Sequence, residues 1–464
     1  MSLSTQPRIA TPIPAVEQPE IGPRKDRGLH SGVRLGIRGR TMHLRGVRPP
    51  RAGILGLLSI LGPGLIAATA GDDAGGIATY SQVGAKYGYE LLWVLVVITV
   101  TLAVVQEMCA RLGAATGRGL LELVRERFGI GWALFAVAVV LVANGGVIVT
   151  EFLGIAAAAE LFGITRFFAV PLSAVLVWYF VVGGNYASVE KFFLLMTLAF
   201  FAYPIAAFMA QPDLGEVARG MFIPTIRTDP DYLALVVALI GTTVTPYMQL
   251  FQQSAIVEKG VARRHYGPER ADAYFGALFG NIIAALIVIA AAATLHATGN
   301  TDIQTAADAA RALEPVAGHA ASAVFAVGLL GASLLAAGVL PLATAYSISE
   351  AFGFRRGVNL DFRRAPMFIG IFSVLVFLGA AIALLPGVPL IALLVGIQTL
   401  NGVLLPVILV FILLLINDRR LVADPLRNGL LYNVVGWGSV VLVGGAAFTL
   451  VLNQALGIFG LNFF

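Results

Sequence analysis

Gly71-Asp72-Asp73-Ala74-Gly75-Gly76 sets two adjacent carboxylates among glycines inside an apolar stretch. Residues Ile54 to Leu61 and Leu65 to Ala70 precede it and Ile77 to Val83 follow, so the acids fall inside what reads as one membrane-spanning segment. An ionised carboxylate near a bilayer midplane costs about 2.5–3.5 kcal/mol even on lenient insertion scales. Two readings are open: a cation site where glycine lets the helix unwind, or acids at a helix end among the headgroups. Roughly eighteen apolar or small residues lead up to the pair, which favours the first. Gly241-Thr242-Thr243-Val244-Thr245-Pro246-Tyr247 interrupts a second apolar stretch. Pro246 has no N–H to donate and clashes with the preceding turn, and Thr245 before it is pushed away from helix. Alone, this reads equally well as a proline kink. Paired with the break at Asp73, it points to a midplane site between inverted repeats, lined by unwound carbonyls and the negative ends of half-helices.

Composition supplies the class of molecule around those breaks. The chain has 464 residues, is 58% hydrophobic and carries only 12% charged residues, with a mean hydropathy of +0.86. Soluble domains carry about 25% charge, so this is an all-α polytopic membrane protein. The single cysteine, Cys109, excludes an internal disulfide and a cysteine-based metal cluster, and its apolar neighbours make it a buried thiol. The five histidines (His30, His43, His265, His296, His319) show no paired ligand spacing, which leaves an enzyme reading without support.

Eleven apolar segments are expected, at roughly 53–83 (broken), 90–112, 131–162, 167–184, 191–210, 231–258 (broken), 273–297, 320–352, 366–386, 389–416 and 430–453. Residues 1–51 form a separate basic tail with ten Lys and Arg against three acids, rich in proline and glycine and without an apolar run. It reads as a disordered cytoplasmic tail against anionic lipid, ahead of a transporter domain over 52–464, with no nucleic-acid role. Alternating the loops from a cytoplasmic N-terminus places sixteen basic residues inside and five outside. The positive-inside rule therefore expects an integral cell-membrane protein with the N-terminus in the cytoplasm and Phe464 outside.

Several motifs resemble the NRAMP divalent-metal transporters. Gly62-Pro63-Gly64 followed by Asp73-Ala74-Gly75-Gly76 is similar to that family's GPG and DPGN. Gly84-Ala85-Lys86-Tyr87-Gly88-Tyr89, Ala110-Arg111-Leu112-Gly113, Thr116-Gly117-Arg118, Glu151-Phe152-Leu153-Gly154 and Glu350-Ala351-Phe352 continue the likeness, which runs from about residue 52 to 416. The resemblance implies the LeuT-type fold, with 11 transmembrane helices, spans 1–5 and 6–10 as inverted repeats, and helices 1 and 6 broken. It also implies metal held by Asp73, by the residues at Gly76 and Thr245, by the Thr242 carbonyl and by Gln398. The family has Asn where Gly76 stands and Met-Pro-His where Thr245-Pro246-Tyr247 stands.

Those departures set the expected cargo. A thioether favours transition metals, whereas a hydroxyl leaves an all-oxygen site that suits Mg²⁺. Loss of the Asn side chain at Gly76 is expected to widen the cavity for a partly hydrated ion. Asp72 is a further candidate ligand, although adjacent helical positions face apart by about 100°. Pro246, Tyr247 and Glu151 are assigned to gating or the pathway. Where the family has titratable groups for proton transport, this chain has Ile148, Tyr247 and Gln252, while Glu151 survives. An inside-negative potential offers about 2.3 kcal/mol per charge per 100 mV, enough to drive uniport of a divalent ion. The expectation is Mg²⁺ uptake, extending to Mn²⁺, with no cofactor and no required oligomer. The alternatives are a proton-coupled Mn²⁺/Fe²⁺ transporter, an amino-acid symporter and a non-transporting metal sensor. Against the symporter, two carboxylates at the first break would repel a substrate carboxylate. Against the sensor, the tail is too short for an output domain.

Overall fold

The computed structural model describes residues 35–37, 40–42, 62–184, 186–196, 200–227, 229–261, 266–301, 303–311, 321–387 and 389–458. The chain divides into two units, Met1–Gly56 and Leu57–Phe464. Described residues of the first form an antiparallel ribbon, β1 (Leu35–Ile37) with β2 (Arg40–Met42). The remainder of the expected basic tail lies outside the described residues.

In the second unit every described element is helical, and a π-helical turn over Ala292–His296 continues the twelfth α-helix. In chain order these are α1 (Pro63–Ala70), α2 (Ala74–Tyr87), α3 (Leu92–Thr116), α4 (Leu120–Phe128), α5 (Ile130–Leu161), α6 (Arg166–Gly183), α7 (Tyr186–Met196), α8 (Ala202–Met209), α9 (Leu214–Phe222), α10 (Pro230–Thr243), α11 (Pro246–Lys259), α12 (Tyr266–Ala291), α13 (Ala306–Ala310), α14 (Ala321–Phe352), α15 (Pro366–Ala383), α16 (Leu390–Ile416) and α17 (Leu430–Ile458). Nine stretches of the described residues are long and apolar enough to cross a membrane, α10 and α11 counting together. The first expected segment is carried by α1 and α2 and the fifth by α7 and α8. None of these four reaches the 20 or so residues that a span requires.

Both expected breaks are present, each with a chemical cause. Helix α1 opens on Pro63, and Asp272 of α12 accepts the otherwise unpaired N–H groups of Gly62 (2.9 Å), Gly64 (2.6 Å) and Leu65 (3.3 Å). The helix stops at Gly71, and Asp73 restarts it as the N-cap of α2, accepting Gly76 N–H at 2.6 Å. The second break spans Val244 and Thr245, with Pro246 at the first position of α11.

Two boundaries differ from expectation. Helix α12 begins at Tyr266 rather than near 273, because its first turns bury Glu269 and Asp272 against Lys259 and the start of α1. Those acids hid the helix from a hydropathy reading. The basic loop expected after α3 contains the amphipathic α4, which buries Leu120, Leu121, Leu123 and Val124.

The broken helices occupy the core. Of the most apolar window in the α10–α11 stretch, 89% is buried, against 28% for α6 and α17, which present apolar faces outward. All of α1 is buried. Helix α12 packs along α1, α2 and α3, while α16 packs on α10, and α5 pairs with α14 across the molecule. Glycine permits the closest approach: a Cβ on Gly241 would stand 2.0 Å from the Gln398 carbonyl and 2.4 Å from the Gly402 nitrogen.

Candidate metal-cation site

Asp73, Thr242, Thr245, Tyr247 and Gln398 come together between the two breaks, none with any solvent exposure. Asp73 owes its position to capping α2, which sets its carboxylate at the positive end of that half-helix. Its Oδ1 accepts from Gly76 N–H and, at 2.9 Å, from the Gln398 amide on α16. The Tyr247 hydroxyl donates to the Ala70 carbonyl at 2.6 Å and makes a longer 3.4 Å contact with Asp73 Oδ2. Thr242 Oγ1 donates to the Gly71 carbonyl at 3.2 Å, tying the end of α10 to the first break. Residue 246 would donate to the Thr242 carbonyl in a continuous helix. As proline it cannot, so that carbonyl is released by the sequence itself. Thr245 Oγ1 is buried with no hydrogen-bond partner among the described residues.

No cation balances Asp73 among the described residues, and no group of three or more His, Cys, Asp or Glu forms there. The donors are one carboxylate together with hydroxyl, amide and carbonyl oxygens. A buried, unbalanced carboxylate ringed by neutral oxygens suits a cation.

Two expected members behave differently. The side chain of Asp72 turns toward α12: its Oδ2 lies 3.4 Å from where a Cβ on Gly280 would stand, and that oxygen has no hydrogen-bond partner among the described residues, while Tyr80 of α2 neighbours the carboxylate. Adjacent carboxylates therefore diverge, and Asp73 alone joins Thr242, Tyr247 and Gln398. Gly76 does not open the expected wider cavity. A Cβ there would meet the Gly71 carbonyl at 2.8 Å and Thr242 Oγ1 at 2.9 Å, so the missing side chain lets the two breaks close on each other. Glu151, on α5, accepts the Ala74 N–H at 3.2 Å and so caps the start of α2, leaving Oε1 unpartnered among the described residues. Pro246 starts α11.

Three residues were missed. Asn401 donates to Gln398 Oε1 at 2.9 Å. Gly75 admits Gln398, whose Nε2 would lie 2.2 Å from a Cβ there. Met248 is fully buried against Gly71, its Sδ 2.9 Å from the position of a Cβ at that glycine. A sulfur thus lies beside the first break, one turn after Thr245. The i, i+3 spacings of Thr245 with Met248 and of Gln398 with Asn401 were the available signals.

Comparison with known proteins identifies the family. Residues 64–453 match the family described as "Natural resistance-associated macrophage protein-like" (Nramp). The chain belongs to the Nramp family. The divalent metal cation transporter MntH of Deinococcus radiodurans is 31% identical over 416 residues, covering 86% of this chain and 91% of that protein. MntH of Yersinia pestis is likewise 31% identical, over 60% of this chain and 69% of the relative. Among solved structures, a manganese transporter of Eremococcus coleocola overlays with a TM-score of 0.69 at 19% identity, covering 89% of this chain and 90% of that one. The amino-acid-bound MhsT overlays at 0.51 and 14% identity, covering 87% and 99%. The fold of this Nramp chain is the LeuT type, and its relatives are membrane transporters rather than enzymes.

Proposed function

We propose that this protein is a secondary transporter of divalent metal cations and that Asp73 binds the ion at the junction of the two broken helices. The observation that carries the reading is the buried Asp73 carboxylate, without a cationic partner among the described residues and met by the Tyr247 hydroxyl of α11 and the Gln398 amide of α16. In the arrangement described, Gln398 presents its amide N–H to Asp73, and an ion must displace it. Rotating that amide would turn its oxygen to the ion and its NH₂ to Asn401 Oδ1, which is unpartnered among the described residues. Asn401 thus has a bonding role in both positions.

The manganese transporter of Eremococcus coleocola favours Mn²⁺ over the Mg²⁺ expected from the sequence alone. Met248 supports that choice, because its thioether lies beside the break and favours transition metals. Mg²⁺ remains a second reading on one specific observation, the hydroxyl of Thr245 where the family carries its sulfur. Uptake of Mn²⁺, Mg²⁺ and Cd²⁺ into proteoliposomes containing the full chain tests both readings. Mn²⁺ flux inhibited by Cd²⁺ and indifferent to excess Mg²⁺ supports the first. Flux of Mg²⁺ unaffected by Cd²⁺ supports the second, and no flux of any divalent ion overturns the transport reading.

A further inference from the structure

A cavity of about 380 Å³ opens between the end of α11, about two turns beyond the second break, the end of α14 and the loop after it. Its polar lining includes Ser254, Glu258, Tyr346, Arg355, Arg356 and Asn359. The two arginines differ. Arg356 is neutralised by Glu122 and Glu350, whereas exposed Arg355 has no ion-pair or hydrogen-bond partner among the described residues. Glu258 complements it: it accepts from Tyr346 (3.2 Å) and Asn359 (3.1 Å), both neutral, and forms no salt bridge among the described residues. The wall thus offers one positive and one negative charge that no ion pair neutralises among the described residues.

The cavity continues into an apolar crevice through Gly357 and Leu360, which line both. That crevice runs between α6, at Val181 and Val182, and α15, at Phe368 and Phe372. Both helices carry apolar residues on the outer surface of the protein, including Tyr179, Phe180 and Met367. The crevice itself has room for only about 10 Å³ and is lined mostly by buried residues, so it marks the edge of the pocket beside those outward-facing apolar residues. A polar pocket of opposite charges at such an edge is shaped for an amphipathic zwitterion. Basic pockets at helix ends are known places for phospholipid headgroups, and guanidinium matches phosphate geometry.

We propose that this cavity holds the headgroup of a phospholipid bearing a primary ammonium, with its phosphate on Arg355, its ammonium on Glu258 and its acyl chains along the outward-facing apolar residues of α6 and α15. A simple anion would gain Arg355 but face Glu258. A trimethylated headgroup would lose the N–H bonds that Glu258 accepts.

Native mass spectrometry of the full chain in detergent, titrated with defined lipids, tests this without reference to transport. Phosphatidylethanolamine is expected to bind about tenfold more tightly than phosphatidylcholine or phosphatidylglycerol. Arg355→Gln removes an exposed, partnerless side chain and should weaken phosphatidylethanolamine about tenfold. Glu258→Gln should bring the ethanolamine and choline lipids within about twofold of each other. Thermal midpoints of the lipid-free variants establish that both are folded, and Arg355→Gln stands alone if Glu258→Gln is not. Equal affinity of wild type and Arg355→Gln, or of all three lipids for wild type, would overturn the proposal. So would water-soluble glycerophosphoethanolamine binding as tightly as the lipid, since the ligand would then not be a membrane component.

Discussion

Asp73 does two jobs at the break: it caps α2 through Gly76 and supplies the carboxylate that accepts from Gln398. Asp73→Asn can still accept the Gly76 N–H, so it should fold while losing the charge that holds the ion. Flux is expected to fall at least a hundredfold, and wild-type flux at equal reconstitution would remove the site from the first break. Met248 permits a separable test. Met248→Leu keeps volume and apolarity, so stability should change by less than about 1.5 kcal/mol. The ratio of Cd²⁺ to Mg²⁺ affinity by calorimetry should drop if the sulfur touches the ion, and an unchanged ratio assigns Met248 to packing. Asp73, Thr242 and Gln398 were legible because their chemistry is written in residue type and motif. Met248 and Asn401 were not, because each acts through the residue three positions earlier, and that register becomes visible only once the break is placed. The divergence of about 100° between adjacent helical positions anticipated that Asp72 and Asp73 point apart, but not which helix Asp72 would face.

Among the elements, the closest approaches are made by glycine, and this limits how the family's pattern can be restored. Gly76→Asn would drive a Cβ to 2.8 Å from the Gly71 carbonyl, a backbone atom that cannot step aside without moving α1. The triple change Gly76→Asn, Thr245→Met and Tyr247→His therefore also strips the Tyr247 bond from Ala70. Thr245→Met alone is the cleaner selectivity variant, and the triple variant should unfold several degrees lower in a thermal scan, consistent with an overpacking cost of about 1–3 kcal/mol. Gly241→Val is the corresponding test between α10 and α16, where the new Cβ would stand 2.0 Å from a carbonyl. It should separate the helices and lower the midpoint further than an equivalent change at Gly131, which has open space around it. Hydropathy located the helices that cross as single rods and failed where charges are buried for packing, as at Asp272, or where a helix lies amphipathic, as α4 does.

For the whole molecule, the open quantity is what drives the ion. The positions that carry titratable groups in the family are Ile148, Tyr247 and Gln252 here, and Gln252 is buried with both amide atoms unpartnered among the described residues. Neither an aliphatic group nor an amide exchanges a proton near neutral pH, and a tyrosine ordinarily does so only near pH 10. The ionisable groups left at the breaks are Asp72, Asp73 and Glu151, all buried. With Asp73 engaged by the ion as proposed, a proton moved with the metal would have to use Glu151, which caps α2, or Asp72, which faces α12. Metal-dependent acidification of proteoliposomes discriminates among these. If flux follows membrane potential at about 2.3 kcal/mol per charge per 100 mV with no acidification, the ion moves as a uniport. If the lumen acidifies with the metal and Glu151→Gln abolishes that signal while preserving downhill metal flux, Glu151 is the proton carrier. Should acidification survive Glu151→Gln and vanish in Asp72→Asn, the second carboxylate of the opening pair is the group that couples the two ions.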